Sequence, residues 1–339
     1  MAVNVVLASP LETHLVERIA AVDSRLHVVY RKDLLGTPRY AGDHFPPIHR
    51  TPEQTAEWQK LLAEAEVMLD VDQPSTSEFL SRVKRLQWIQ SSSSGVGEWV
   101  KRLGLVETPI TVTNAAGMHA RPLAEFAIFA MLYFAKRWPR MVAEQRAHHW
   151  ERCAIDTLEG KTLGIIGLGR VGQAVATFAK PFGMRVIGTR RTHVEADSRV
   201  DEVFSADQTC DVLAQSDYVV LCVPHTSETV GLIGAEALAS MRPGAVLINI
   251  ARGSVVDEIA LIECLQERHL GGAALDVVAH EPLAPDSPLW QMPNVLVTPH
   301  SMSTAFDENE RLAQLFCENL RRYLDGQPLL NVIDKHLGY

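Results

Sequence analysis

Three segments each place chemically capable side chains after a short apolar run. Arg252 follows Leu247-Ile-Asn-Ile-Ala, Asp276 follows Ala274-Leu with Glu281 shortly after it, and His300 follows Val295-Leu-Val-Thr-Pro. Such runs read as buried strands, and ligands of open α/β sheets gather beyond the strands' C-terminal ends. A guanidinium there can grip a carboxylate through its planar fork. A carboxylate beside an imidazole favours imidazolium and fixes the ring, and the imidazole can then move a proton. Each residue alone has a plain alternative: a surface arginine, a loop charge before proline, a histidine satisfied by its neighbours.

A fourth segment supplies different chemistry. Leu163-Gly-Ile-Ile-Gly167-Leu-Gly169-Arg-Val-Gly172 fits G-x-G-x-x-G after a strand and before a helix, Gln173–Pro181, with a further strand at Met184–Gly188. The first glycine permits the tight turn, the second lets backbone approach a pyrophosphate, and the third lets helix pack on strand. The helix start then offers N–H groups and a positive dipole end to the anion. The whole strand–turn–helix–strand unit is present, so the segment reads as a dinucleotide site. The position where this fold normally carries an acid for the adenosine ribose holds Arg190, followed by Arg191. A carboxylate would repel a 2′-phosphate and guanidinium groups bind one, so NADP is the expected cofactor, with NAD possible.

These residues need a scaffold of two α/β lobes. The chain has 339 residues, enough for two domains at roughly 100–200 residues each. Strands are expected at Val3–Leu7, Leu26–Tyr30, Glu66–Leu69, Trp88–Gln90 and Ile110–Thr113, with helices at Pro10–Ala21 and, capped by Thr51, Pro52–Ala65. A long helical pattern runs from Arg121 to Ala143, and a polar stretch follows. A second alternation has strands at Leu163–Ile166, Arg185–Gly188, Tyr218–Cys222, Val246–Ile250, Gly272–Leu275 and Val295–Val297, and the chain closes with a helix at Phe306–Leu324. Short buried runs alternating with helices imply parallel sheets.

Composition narrows the class. With 47 % hydrophobic and 22 % charged residues the chain reads as globular. Its 32 Lys+Arg against 41 Asp+Glu give a net charge of −9, which disfavours nucleic acid as a partner. Cys153, Cys210, Cys222, Cys264 and Cys317 form no CxxC pair and read as free, mostly buried thiols of a reducing compartment. The start MAVNVVLASP is not a signal-peptide pattern, and the longest apolar stretch, Leu123–Ala135, contains Glu125 and falls short of the ~20 residues of a membrane span. A cytoplasmic protein without membrane contact is expected.

Taken together and in order, the motifs resemble the D-isomer-specific 2-hydroxyacid dehydrogenase family over nearly the whole chain. They are Gly160-Lys-Thr-Leu-Gly-Ile-Ile-Gly-Leu-Gly-Arg-Val-Gly172, Cys222-Val-Pro-His-Thr-Ser-Glu-Thr229, Ile250-Ala-Arg-Gly253, Leu275-Asp-Val-Val-Ala-His-Glu-Pro282, Ser287-Pro-Leu-Trp290 and Thr298-Pro-His300. The resemblance implies a Rossmann cofactor domain, residues 118–302, inserted into a flavodoxin-like substrate domain, residues 1–117 and 303–339, with a cleft between them. It implies hydride transfer between a nicotinamide cofactor and a 2-oxo acid of glyoxylate or hydroxypyruvate type, giving a D-2-hydroxy acid, in a homodimer. His300 would be the acid/base, Glu281 its partner, and Arg252 the residue that binds the substrate carboxylate and polarises the 2-oxo group. Gly167, Gly169, Arg170, Val171 and Gly172 would form the pyrophosphate turn, with Thr189, Arg190, Arg191, Val223 and Pro224 on the adenosine side. Ile250, Ala251 and Asp276 would lie along the nicotinamide, Asp276 holding its carboxamide. Backbone N–H groups of Ser94, Gly95 and Val96 would receive the substrate carboxylate.

Two positions depart from the family. Gly97 stands where the family usually has Asp, and Ser301-Met-Ser-Thr304 replaces a glycine-containing turn after the histidine. Glu125 reads as structural, capping or pairing within its helix. His119 could face the cleft or be structural. His148-His149 lacks a partner at ligand spacing, and no metal is expected. Rival functions are a formate dehydrogenase, against which Glu281 argues, a phosphite dehydrogenase with the same triad, and a dinucleotide-sensing corepressor.

Overall fold

A computed structural model of the chain describes residues 2–71, 78–191 and 198–338. It divides into two compact units, Met1–His119 with Thr304–Tyr339, and Ala120–Ser303.

The first unit holds a parallel sheet of β1 (Val3–Leu7), β2 (Leu26–Val29), β3 (Val67–Leu69), β4 (Trp88–Gln90) and β5 (Thr111–Thr113), in the order β2-β1-β3-β4-β5. This is the flavodoxin-like order. β3 and β4 are buried along their length, which is why β3 is wholly apolar and β4 apolar up to Gln90, where a one-sided sheet would alternate. The helices are α1 (Thr13–Ala20), α2 (Pro52–Glu64), α3 (Phe79–Arg82) and α4 (Gly97–Arg102). α2 starts where the sequence says it must: Thr51 Oγ1 accepts from Gln54 N, the Gln54 side chain accepts from Thr51 N, and Pro52 begins the first turn. The terminal helix, Glu308–Leu324, buries Leu312, Phe316 and Leu320 with Leu7, Leu15, Ile19 and Trp88.

The second unit holds β6 (Thr162–Ile166), β7 (Arg185–Arg190), β8 (Glu202–Ser205), β9 (Tyr218–Leu221), β10 (Val246–Asn249), β11 (Gly272–Leu275) and β12 (Val295–Val297). All pair in parallel, in the order β12-β11-β10-β9-β6-β7-β8. Counted from β6, this is the doubly wound dinucleotide-binding order, extended by one strand, with its switch point between β6 and β9. The helices are α5 (Ala120–Ala135), α6 (Trp138–Arg146), α7 (Arg170–Ala179), α8 (Thr209–Gln215), α9 (Ala235–Ser240) and α10 (Glu258–Gln266). α5 packs on α7, placing Ala124, Ala127 and Met131 in one core with Val175, Ala176 and Ala179.

Three details differ from the sequence reading. The long helix is two helices: Arg137 takes a left-handed conformation at φ 50° and Pro139 lies in the first turn of α6, where its missing N–H is tolerated. β8 carried no strand signal because its residues are mostly exposed at the sheet edge. The five cysteines are free, but Cys317 alone is buried, Cys210 is exposed and the others are intermediate.

Candidate active site

The glycine turn follows β6 at the switch point. Gly167 has φ 102°, and a Cβ there would lie 3.0 Å from Val223 N. A Cβ on Gly172 would lie 2.4 Å from Gly167 O. Around Gly169, by contrast, a Cβ would meet nothing within 4 Å. Two glycines thus serve close packing, and the middle one leaves open space at the start of α7, which has no side-chain cap and no acid in its first turn. That is the space a pyrophosphate needs. Thr189 is buried at the end of β7, where its Oγ1 accepts from Gly167 N at 3.1 Å. Arg190 is the last residue of that strand, and Arg191 follows it exposed. Val223 and Pro224 follow β9, the valine half-buried and the proline exposed. The residues present fit a dinucleotide.

β10, β11 and β12 are neighbours, so the loops leaving their C-terminal ends adjoin. Arg252 comes from the first, Asp276 and Glu281 from the second, His300 from the third. His300 Nδ1 lies 2.8 Å from Glu281 Oε2. The two side chains are 41 % and 38 % exposed, so a small molecule can reach them. Burial pushes the Glu281 carboxyl up, but the bond and charge of His300, the Val278 N–H and the charge of Arg252 outweigh it and hold it below its usual value. His300 itself sits at φ 52°, a strained conformation of the kind that clusters at functional sites. Ile250 and Ala251 are buried between β10 and Arg252.

Several supports were not foreseen. Asn249, 1 % exposed, donates to Arg252 O at 3.0 Å and accepts from Ala251 N at 3.0 Å, so it ties the arginine's turn to its strand. Gly253 lets that turn press on the next loop: a Cβ would lie 1.8 Å from Val278 O. Glu258 accepts from Ala279 N at 2.8 Å. Asp276 is buried, and its Oδ1 accepts from Thr298 Oγ1 at 2.8 Å and from Ser301 N at 3.0 Å, so it organises the segment carrying His300. A buried polar residue at a strand end was the available signal for Asn249; the other contacts join distant segments.

In the first unit, Ser94, Gly95 and Val96 leave β4 and lead into α4. Ser94 O accepts from Asn114 Nδ2 at 2.8 Å, and Ser94 Oγ lies 2.9 Å from His119 Nδ1. Gly95 is exposed and Val96 buried. Gly97 packs against Gly338, whose Cα would lie 3.1 Å from a Cβ at 97, so a side chain there would press on the backbone of residue 338.

Elsewhere, Glu125 pairs with Arg121 along α5 at 2.9 Å. His149 does have acidic neighbours: Glu144, His149 and Glu151 bring their ligand atoms within 4.8 Å of one another. His148, at φ 52°, turns the chain back so that this spacing arises. Arg140 bonds Glu144 at 3.3 Å and Glu151 at 2.8 Å, which makes the group an exposed ion-pair cluster. Among the described residues, no helix is long and apolar enough to cross a membrane.

Residues 128–301 match the family described as D-isomer specific 2-hydroxyacid dehydrogenase, NAD binding domain. The chain is 38 % identical over 238 residues to the glyoxylate reductase of Thermococcus gammatolerans, covering 67 % of this chain and 70 % of that one. A D-isomer specific 2-hydroxyacid dehydrogenase from Xanthobacter autotrophicus, solved with NADPH and MES, superposes with a TM-score of 0.79 at 32 % identity over 100 % of both chains. The NADPH-dependent glyoxylate/hydroxypyruvate reductase of Sinorhizobium meliloti, solved with NADP and sulfate, has a TM-score of 0.79 at 26 % identity, over 99 % of this chain and 100 % of that one.

Proposed function

The chain belongs to the D-isomer specific 2-hydroxyacid dehydrogenase family of NAD(P)-dependent oxidoreductases, and from that premise we propose that it reduces a small 2-oxo acid, of glyoxylate or hydroxypyruvate type, to the D-2-hydroxy acid with NADPH. The observation that carries this is the His300–Glu281 pair at 2.8 Å with the Arg252 charge beside it. In this reading residues 118–302 hold the dinucleotide, and residues 1–117 with 303–339 hold the substrate. The nicotinamide supplies the hydride. Arg252 binds the substrate carboxylate and polarises the 2-oxo group. His300 gives its proton to the carbonyl oxygen, and Glu281 stabilises the imidazolium and orients it. The amides of Ser94–Val96 receive the carboxylate, and Asp276 holds both the histidine segment and the carboxamide. The enzyme works in the cytoplasm as a homodimer, in which a second copy covers the aromatic surface of Phe129 and Trp138, 51 % and 52 % exposed.

The test is a panel of 2-oxo acids of graded size and polarity, assayed with NADPH and with NADH. Binding of dinucleotide without turnover of any of them would favour a sensor over an enzyme.

Cofactor choice gives a sharper expectation. β7 ends in Arg190, not in an acid. Guanidinium groups bind a 2′-phosphate by charge-assisted bonds, each worth roughly 1.5–3 kcal/mol. Wild type is expected to favour NADPH over NADH by at least about tenfold in kcat/KM. Arg190→Asp is expected to reverse that order, and the wild-type preference weakens with added salt. Equal use of NADH by wild type would refute the assignment.

Arg252→Lys tests the substrate side. A planar fork becomes a point charge, so KM for the 2-oxo acid is expected to rise about tenfold and kcat to fall. The dissociation constant for NADPH should not move. Weakened cofactor binding with unchanged substrate kinetics would show the role to be wrong.

A further inference from the structure

The unit Met1–His119 with Thr304–Tyr339 contains a second histidine–glutamate group, and this one is buried. Glu308 is the first residue of the terminal helix and is 6 % exposed. Its Oε1 lies 3.2 Å from His119 Nε2 and 3.5 Å from His44 Nε2. Gly42, at φ 79°, leaves room for it: a Cβ there would lie 3.1 Å from Glu308 Oε2. Burial pushes the Glu308 carboxyl up, but the bonds and charges of the two imidazoles outweigh it and hold it down at about 2. The positive end of the helix dipole acts in the same direction.

The far side of each imidazole meets a serine. His119 Nδ1 lies 2.9 Å from Ser94 Oγ, which also reaches Ala115 O at 3.2 Å. His44 Nδ1 lies 2.8 Å from Ser9 Oγ. Beyond Ser9 is Asp70, 2 % exposed, whose carboxyl burial pushes up against the charge of His44. Charged neighbours of the group are taken up in other pairs: Arg39 with Asp43 on the loop of His44, Arg311 with Asp307 at the start of the terminal helix, and Glu310 with Arg18 and His14 of α1.

Hydrogen-bond counting gives this group two states. A protonated His119 donates from both nitrogens, to Glu308 and to Ser94 Oγ, and the Ser94 hydroxyl is free to donate to Ala115 O. A neutral His119 that donates to Glu308 has a bare Nδ1. The Ser94 hydroxyl must then turn to it and release Ala115 O. The proton on His119 therefore decides both the charge behind the Ser94 turn and the bond that braces it.

We propose that His119, held by Glu308, is a positioning residue that tightens the Ser94–Val96 turn's grip on the substrate carboxylate when its imidazole is protonated. This rests on the reading that the turn receives that carboxylate. The sign follows from charge: a cation behind the turn attracts the anion, and its loss as pH rises weakens binding.

The test is the dissociation constant of oxamate, a 2-oxo-acid analogue that cannot be reduced at the amide carbonyl, for the enzyme saturated with NADPH. It is measured across about pH 5–8 in wild type and His119→Gln. The variant is expected to bind about tenfold more weakly at the acid end, with the ratio closing to about one at the alkaline end, where neither side chain is charged. His300 is the same in both proteins, so its contribution drops out of the ratio. Glu308→Gln is expected to move the wild-type dependence to lower pH, because the imidazolium loses its counter-ion. Should His119→Gln fail to fold, His119→Asn removes the same charge while keeping the Ser94 turn and its amides, and its ratio should converge in the same way. A ratio that is constant with pH, or near one throughout, would overturn the proposal and leave His119 a structural residue. Failure of wild type to reduce glyoxylate would refute the reaction proposed above, and the oxamate ratio would still decide this point.

Discussion

His300→Ala is expected to lower kcat by about 10²–10⁴-fold while leaving NADPH affinity near the wild-type value. The geometry behind this is local. The imidazole holds Glu281 through Nδ1 at 2.8 Å, and both side chains are open to a small molecule. Positioned proton transfer is what the alanine variant loses. The glycine turn follows β6 and Thr189 lies near the end of β7, so these dinucleotide-binding residues lie on other strands of the sheet and keep their contacts. The measurements are kcat with glyoxylate or hydroxypyruvate and a fluorescence titration of NADPH. Turnover close to wild type would remove His300 from the mechanism. Loss of cofactor binding in step with turnover would instead make it a structural residue of the nucleotide site. Glu281→Gln provides the graded comparison: it keeps an acceptor for Nδ1 and loses the charge, so its defect is expected to be the smaller one.

Local sequence carried much of this architecture, for a physical reason. Parallel strands buried on both faces need unbroken apolar runs, and β3, β9 and β11 lie on such runs. The edge strand β8 has no such need and left no run to read. A proline visible in the sequence, Pro139, divides α5 from α6, but the apolar pattern runs on across it, and periodicity was the weaker guide there. The site divides in the same way. Arg252, Glu281 and His300 were legible because each stands at or shortly after the end of a strand. Asn249 left one signal, a polar residue closing an apolar run, whereas Glu258 and Glu308 left none. Their roles consist of bonds to residues on other segments or around a turn, and no spacing along the chain encodes them.

The two histidine–glutamate pairs show how burial divides the work. Glu281 shares its imidazole with solvent, and the pair can exchange a proton with whatever reaches it. Glu308 is enclosed between two imidazoles and has no such access. Its ionisation is a property of the fold around it. An exposed pair suits proton transfer to a ligand, and an enclosed one suits setting the charge and shape of the turn it braces.

Gly253→Ala is expected to cripple the enzyme without altering any group that touches a ligand. Its Cβ would lie 1.8 Å from Val278 O and 2.0 Å from Val278 C. Both are backbone atoms, so no side chain can rotate away, and Asn249 fastens the turn from the other side through Arg252 O. Either the Arg252 turn or the segment from Asp276 to Glu281 has to move. Movement of the first displaces the guanidinium, and movement of the second displaces the partner of His300. A displacement near 1 Å at a reacting centre can cost about 10²-fold, so kcat/KM for the 2-oxo acid is expected to fall by about that factor. Overpacking a filled site also costs typically about 1–3 kcal/mol of stability, which thermal unfolding would register as a lower Tm. NADPH should still bind through the glycine turn, which lies beyond β9 and β10 in the sheet, with any weakening confined to the residues proposed for the nicotinamide end, Ile250, Ala251 and Asp276. A variant with normal kcat/KM and a lowered Tm would mean that the strain is absorbed away from the site, and the close approach of these two loops would then matter for folding alone.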